Sequence, residues 1–340
     1  MQPNPPVWPL TRLRCPDLAP TDTEGGRRVA ALDQGIGLPD VKVSYLTVVK
    51  NRCDLLKRTI DSVARQKQAS IEHIIVDGAS SDGTVDYLLA QTAVVDYFIS
   101  RPDDGLYDAI NKGIELCRGS YICILNSDDW LTKGAVRTVL RDLSAETAPC
   151  IHAYSAWKVA PGKKSKLWSP SVPRLGDYLR CADLCHNALY VPKRVYAVVG
   201  MYDSSYGIAA DFKWMMQAVE SRIPFRPHLY PVTNYSTTGV SSHGGAHWQE
   251  CYRLIGERFP FLDGTDIFKL LNFFYRFKEN RPSGAISTVS INELLDEFGS
   301  SALMPVLADA LASMKEHASP SIAQRVSLRI RKSYWRAIKR

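Results

Sequence analysis

Between residues 41 and 145, short β-branched apolar runs alternate with stretches whose apolar residues recur at helical spacing, and this constrains the fold more than any other feature. V-K-V-S-Y-L-T-V-V (41–49), I-E-H-I-I-V (71–76), V-V-D-Y-F-I-S (94–100) and Y-I-C-I-L (121–125) read as buried strands. After the first run, Leu56, Ile60, Val63 and Ala64 share one helical face. Val85, Leu88 and Leu89 do so after the second; Leu106, Ile110, Gly113, Ile114 and Cys117 after the third; Val136, Val139, Leu140 and Leu143 after the fourth. Strands alternating with helices of this length predict an α/β fold with a mainly parallel sheet flanked by helices on both faces.

The flanks read differently. Residues 1–39 carry seven prolines and no sustained period, which predicts a loose arm lying over the body. G-I-G at 35–37 precedes the first strand, the wrong order for a dinucleotide fingerprint. Residues 150–245 are mixed, with one clear helix after Asp211, and from about 260 the pattern turns helical and aromatic. The expected division is an arm at 1–39, a central domain at 40–245 and a helical C-terminal extension with a basic tail at 246–340.

The net charge of +7 is localised. Residues 321–340 hold seven Lys and Arg and no acid; removing seven from 42 basic residues leaves 35 against 35 acidic ones in the rest. A protein-wide nucleic-acid surface is therefore not expected, and a local anionic partner at the C-terminus is. Val326, Ile330 and Trp335 interleave with those cations, a pattern suited to an interfacial helix on anionic lipid. The aromatic stretch 267–277 either packs on the domain or adds to that contact. No apolar run reaches the roughly 18–20 residues of a membrane span, and the N-terminus does not read as a signal peptide. The expectation is a cytoplasmic protein, peripheral on the membrane face. Eight cysteines include no C-x-x-C pair; Cys181-x-x-x-Cys185-His186 is the one cluster singled out, and reduced thiols are expected.

Carboxylates fall where an open α/β sheet binds ligands, beyond the carboxyl ends of its strands. Asp77 follows the second run, Asp103 and Asp104 the third, Asp128 and Asp129 the fourth. Asp82 and Asp108 read equally well as helix caps. The adjacent carboxylates of Asp128 and Asp129 repel each other, and a cation shared with an anionic ligand resolves that repulsion.

V-S-Y-L-T-V-V-K-N-R, I-I-V-D-G-A-S-S-D-G-T, R-P-D-D-G-L-Y-D-A-I-N-K-G-I and G-S-Y-I-C-I-L-N-S-D-D, in this order, resemble the family-2 glycosyltransferases with a GT-A fold. The resemblance covers about 41–145 closely and continues more weakly to about 245. It implies a nucleoside-diphosphate sugar, with UDP-sugar favoured, a divalent cation (Mn²⁺ or Mg²⁺) and inversion at the anomeric carbon. Donor-side roles fall on Thr47, Val49, Asn51, Arg52, Asp77, Ser80, Asp82, Asp103, Asn111, Lys112, Asn126 and Ser127. Asn126-Ser127-Asp128 occupies the family's D-x-D motif with Asn in first place, so the metal is assigned mainly to Asp128 and secondarily to Asp129.

In the second half, G-M-Y-D-S-S-Y-G-I-A-A-D-F-K-W-M-M (200–216) resembles the family segment that ends in an acidic residue at a helix start. Asp211 is therefore the expected general base, with Ala210 where the family often has Glu. His186 is expected on the acceptor side, and His243 and His247 near the diphosphate or metal. The expected activity is metal-dependent inverting transfer to a saccharide or lipid-linked saccharide acceptor in glycan or polysaccharide assembly. Two alternatives stand beside it. A sugar-nucleotide nucleotidyltransferase would use the same acidic rim, although no G-x-G-x-R loop follows the first strand. A non-catalytic nucleotide-sugar-binding module would have no need of Asp211.

Overall fold

The computed structural model describes residues 11–146, 150–170, 184–239, 244–268 and 271. They form two compact units, one containing the described residues up to 170 together with 184–239, the other those from 244 onward.

The first unit opens with β1 (Thr23–Gly25) and α1 (Arg27–Asp33). It then alternates through β2 (Val43–Val49), α2 (Cys53–Ala64), β3 (Ile71–Asp77), α3 (Thr84–Ala90), β4 (Tyr97–Ser100), α4 (Leu106–Leu116) and β5 (Tyr121–Ile124). Beyond it come β6 (Trp130–Leu131), α5 (Ala135–Ser144), β7 (Ile151–Val159), β8 (Lys166–Trp168), β9 (Leu189–Pro192), α6 (Val195–Val199), α7 (Ala210–Glu220) and β10 (Phe225–Ser236). The strand order is β1-β4-β3-β2-β5-β9-β7-β10-β6, with β8 paired to β7.

Strands β2 to β5 pair in parallel, and the register sets Val49 beside Asp77 and Asp77 beside Ser100. Their carboxyl ends therefore form one rim. Past β5 the sheet is mixed: β9 runs antiparallel to both β5 and β7, which returns β7 to the direction of β5, and β10 runs parallel to β7.

Every residue of β2 and β3 is buried, which is why both are rich in β-branched and apolar residues, and their polar members, such as Ser44 and Glu72, bond to each other. Leu56, Ile60, Ile75, Leu88 and Phe98 close one cluster, while Val43, Tyr45, Cys123, Val139, Leu143 and Tyr190 belong to another. Each such side chain contributes about 1.5–3 kcal/mol on burial.

The N-terminal stretch differs from a loose arm over 23–33. β1 pairs antiparallel with β4, and Arg28 of α1 is buried against Glu72 at 2.7 Å. A proline-rich composition hides this because the anchors are a short strand pairing and individual polar contacts, such as Arg27 with Asp96 at 2.8 Å, none of which leaves a periodicity.

In the second unit, α8 (Gly244–Arg258) buries Cys251, Leu254 and Ile255. Ile267 and Leu271 are buried as well, while the Trp248 and Phe268 rings meet edge to face at 5.4 Å. The helical patterns expected beyond 271 and the basic tail lie outside the described residues. Among the described residues no helix is long and apolar enough to cross a membrane.

Candidate functional site

The rim is organised by carboxylates that accept backbone hydrogen bonds. Asp77, fully buried at the end of β3, accepts from the Ser80 N–H (3.0 Å), the Ser80 hydroxyl (2.5 Å) and the Ser100 hydroxyl (2.6 Å). The Ser80 Oγ in turn accepts from the Asn51 N–H at 2.7 Å, and Asn51 Oδ1 accepts from the Ser81 N–H at 2.8 Å. Asn51 adopts φ +53°, a left-handed turn that Asn tolerates better than most residues. Asp82 links two helix starts: Oδ2 accepts from the Cys53 N–H of α2, and Oδ1 from the Thr84 N–H and hydroxyl of α3. Those bonds, the Cys53 one foremost, hold its carboxyl below the usual carboxylate range.

Asp103 is seated by its neighbours. It lies 3.8 Å from Lys50 Nζ, and its Oδ1 accepts from the Gly105 N–H at 3.0 Å. A Cβ at Gly78 would stand within 3.0 Å of its Cγ, so this close approach requires glycine. Val49 is buried, and its carbonyl accepts from the Gly78 N–H. Lys112 pairs with Asp108 at 2.6 Å.

Two residues expected on the donor side have protein partners for their polar atoms. The Thr47 hydroxyl is fully buried, donates to the Leu125 carbonyl at 2.7 Å and lies 2.9 Å from His73 Nε2, so it braces strands beneath the rim. Asn111 spends its whole amide on the Tyr202 backbone: Nδ2 donates to the carbonyl at 2.8 Å and Oδ1 accepts from the N–H at 3.0 Å.

The acidic pair splits into two environments. Asp129 turns inward, with Oδ1 accepting from the Ser236 N–H at 2.6 Å and Oδ2 from the Asn187 amide. Burial, followed by the Asp128 charge, pushes its carboxyl well above the usual range. Both of its oxygens accept hydrogen bonds from the fold, whereas those of Asp128 do not among the described residues. Asp128 is 8% exposed, and its carboxylate takes no hydrogen bond from another described residue. Burial raises its pKa, while Arg52 and Arg58 oppose the shift. A Cβ at Gly239 would come within 2.9 Å of Asp128 Oδ2. Two residues earlier in the same loop, the buried Oδ1 of Asn126 has no hydrogen-bond partner. Ser127 is buried, with its carbonyl accepting from the Thr59 hydroxyl at 2.9 Å.

Arg52 precedes α2, and its guanidinium forms no ion pair or hydrogen bond among the described residues. Arg58, absent from the sequence-based set, donates to the Asp128 carbonyl at 3.1 Å and stacks 3.5 Å from the centre of the Trp130 ring. The segment after β5 thus offers oxygen acceptors at Asn126 and Asp128, with the cationic Arg52 and Arg58 acting on Asp128. That donor set fits a hard divalent cation carrying an anionic ligand.

Asp211 lies in the first turn of α7, where the helix dipole favours an anion. Its Oδ1 is 3.2 Å from the hydroxyl of Tyr107, a residue of the first turn of α4 at the strand-end rim. The same hydroxyl donates to the Ile208 carbonyl at 2.5 Å. Tyr107 stacks on Tyr202 at 5.6 Å, and His186 Nε2 lies 2.8 Å from the Tyr202 hydroxyl. Burial lowers the His186 pKa against the pull of Asp211. Tyr107 and Tyr202 were missed in the sequence; Tyr107 stands inside R-P-D-D-G-L-Y-D, the one signal that could have found it. His243 lies outside the described residues, and His247 belongs to α8 in the second unit.

The profile of Glycosyl transferase family 2 matches residues 44–179. An uncharacterized glycosyltransferase of Mycobacterium tuberculosis is 31% identical over 217 residues, covering 59% of this chain and 77% of its own length. A PGL/p-HBAD biosynthesis glycosyltransferase of Mycobacterium bovis is 27% identical over 203 residues, covering 59% and 75%. In fold, the chain is similar to S. aureus TarS 1–349 in complex with UDP-GlcNAc, with a TM-score of 0.55 at 14% identity over 87% of this chain and 92% of that one. Of the longer TarS structure it spans 54%.

Proposed function

Because the chain belongs to glycosyl transferase family 2, and is a glycosyltransferase with the GT-A fold, we propose that it transfers a sugar with inversion from a nucleoside diphosphate to an acceptor hydroxyl, with a divalent cation at Asp128. The observation that carries this reading is the pairing of a buried, uncommitted Asp128 carboxylate with the orphaned Asn126 Oδ1 at the carboxyl end of β5. Water-excluded acceptors without donors are costly unless a ligand completes them.

Asp128 and Asn126 would hold Mn²⁺ or Mg²⁺, which supplies Lewis-acid stabilisation to the departing diphosphate. Arg52 and Arg58 add positive charge beside the same oxygens. Asp77, Ser80, Asn51 and Asp82 fix the two loops on which the nucleoside rests, and Asp103 with Lys50 borders them. Asp211 accepts the acceptor hydroxyl proton as the new carbon–oxygen bond forms, and the bond from the anomeric carbon to the diphosphate breaks. Tyr107 lies against that base, and the Tyr202–His186 pair backs the Tyr107 ring.

A UDP-sugar is the proposed donor; TarS, which shares the fold at low identity, binds UDP-GlcNAc. The proposed acceptor is a saccharide or lipid-linked saccharide in glycan assembly. The cationic 321–340 segment would hold the enzyme at an anionic cytoplasmic membrane surface. Calorimetry of UDP with and without Mn²⁺ tests the site: cation-dependent binding in the wild type that Asp128→Asn abolishes supports it, and equal affinity in both proteins removes Asp128 from it. Release of free UDP, with no pyrophosphate, separates glycosyl transfer from nucleotidyl transfer.

A further inference from the structure

At the opposite end of the sheet from the rim, Glu146, Cys150 and His152 converge where α5 hands over to β7. Cys150 Sγ lies 3.0 Å from Glu146 Oε2 and 3.4 Å from His152 Nε2, and His152 Nε2 is 3.5 Å from Glu146 Oε2. Zinc bonds of about 2.0–2.3 Å at tetrahedral angles set their S, N and O ligands roughly 3.4–3.6 Å apart. The three atoms are close to that spacing without rearrangement, and Cys150 and His152 are 5% and 0% exposed.

The histidine is also oriented for such a role. His152 Nδ1 lies 2.9 Å from His228 Nε2, with the rings within 10° of coplanar, and His228 Nδ1 lies 3.5 Å from Asp142 Oδ2. In the tautomer in which His152 Nδ1 donates to His228 Nε2, the lone pair of His152 Nε2 is aimed at Cys150 and Glu146. An imidazole bonded to the far nitrogen is one of the arrangements that orient metal-ligating histidines. One thiol proton cannot satisfy both the Glu146 carboxylate and the His152 lone pair. Arg226 reaches Glu146 Oε2 at 3.0 Å and supplies one further donor, so a bound dication would shift this pairing.

We infer that Glu146, Cys150 and His152 form a zinc site, separate from the catalytic rim, that ties the end of α5 to the first residues of β7. Mixed thiolate, imidazole and carboxylate ligands select Zn²⁺ over the oxygen-loving Mg²⁺ or Mn²⁺. On binding, the zinc–sulfur bond replaces the S–H bond and the thiol proton passes to solvent. Three protein ligands leave one tetrahedral position for water. The sequence hid this site because its ligands follow no C-x-x-C spacing and the orienting His228 comes from a distant strand.

The test is titration of the chelator-treated full chain with Co²⁺ and Zn²⁺ in the absence of nucleotide. One equivalent of Co²⁺ should give a thiolate-to-cobalt charge-transfer band and tetrahedral visible bands, which an all-oxygen site at Asp128 cannot produce. Zn²⁺ should displace it and raise the melting temperature. Cys150→Ser should lose the charge-transfer band, and His228→Gln should weaken Zn²⁺ binding about 10–100-fold. Glu146→Gln, which keeps the size of a buried side chain and removes its charge, should weaken binding as well and covers the case in which the cysteine variant folds poorly. Absence of the charge-transfer band in the wild type, or its persistence in Cys150→Ser, overturns the site.

Discussion

The Tyr107 hydroxyl stands 3.2 Å from Asp211 Oδ1 although 104 residues separate them in the chain. Through this contact the strand-end motif that precedes α4 reaches the first turn of α7, so one side chain joins the two halves of the proposed site.

Asp211→Asn keeps the shape at the start of α7 but removes the basic oxygen. Turnover should fall by about 10²–10⁴-fold. Donor affinity, read by calorimetry with UDP and Mn²⁺, should be unchanged. A variant that retains turnover within a few-fold of wild type moves the base elsewhere.

Tyr107→Phe removes the hydroxyl that donates to the Ile208 carbonyl at 2.5 Å and lies 3.2 Å from Asp211 Oδ1, and so loosens the start of α7 that carries Asp211. A loss of about 0.5–1.5 kcal/mol corresponds to roughly 2–10-fold in kcat, with the donor KM held. Steady-state kinetics at saturating donor separates this from a collapse of the pocket, which would raise KM.

Asp128 and Asp129 should respond in opposite ways. Asp129→Ala strips the acceptors from the Ser236 N–H and the Asn187 amide, leaving two buried donors, and should cost about 2–4 kcal/mol of stability. Asp128→Asn removes a charge that burial disfavours, so at neutral pH its melting temperature should equal or exceed that of wild type. Paired thermal melts decide this; a destabilised Asp128→Asn would make that residue structural.

The raised pKa of Asp128 fixes the sign of a pH effect. In the folded protein it takes up a proton at higher pH than an ordinary aspartate, so its ionisation costs stability above that pKa and the cost disappears as pH falls through it. Cation-dependent UDP binding should follow the reverse course, full above the raised pKa and lost on acidification. Calorimetry across pH should show this loss beginning above the usual carboxylate range near 3.8.

Removal of the segment after Pro320 deletes seven cations, each contributing about 1 kcal/mol near an anionic bilayer. The shortened chain should stay in the supernatant with anionic vesicles while the full chain pellets. Equal pelleting of both would assign the attachment to another part of the protein.

Much of the catalytic unit was legible in the sequence because its strands are buried on both faces and its helices on one. Those two conditions leave periods that composition cannot disguise, from Val43 to Leu143. The strand ends then placed Asp77, Asp103 and Asp128 on a common rim, since parallel strands point their carboxyl ends the same way. Other outcomes depended on partners far away in the chain. Thr47 and Asn111 sit in well-matched motifs, yet their polar atoms are consumed by Leu125 and Tyr202. Asp128 and Asp129 are chemically identical neighbours, and no local pattern distinguishes them. Asn187, 58 residues away, and Ser236, 107 residues away, supply the donors that draw Asp129 into the core. Sequence set the order of the elements through local burial; the tertiary structure alone decided which carboxylate meets a protein donor and which does not, because hydrogen bonds depend on proximity in space.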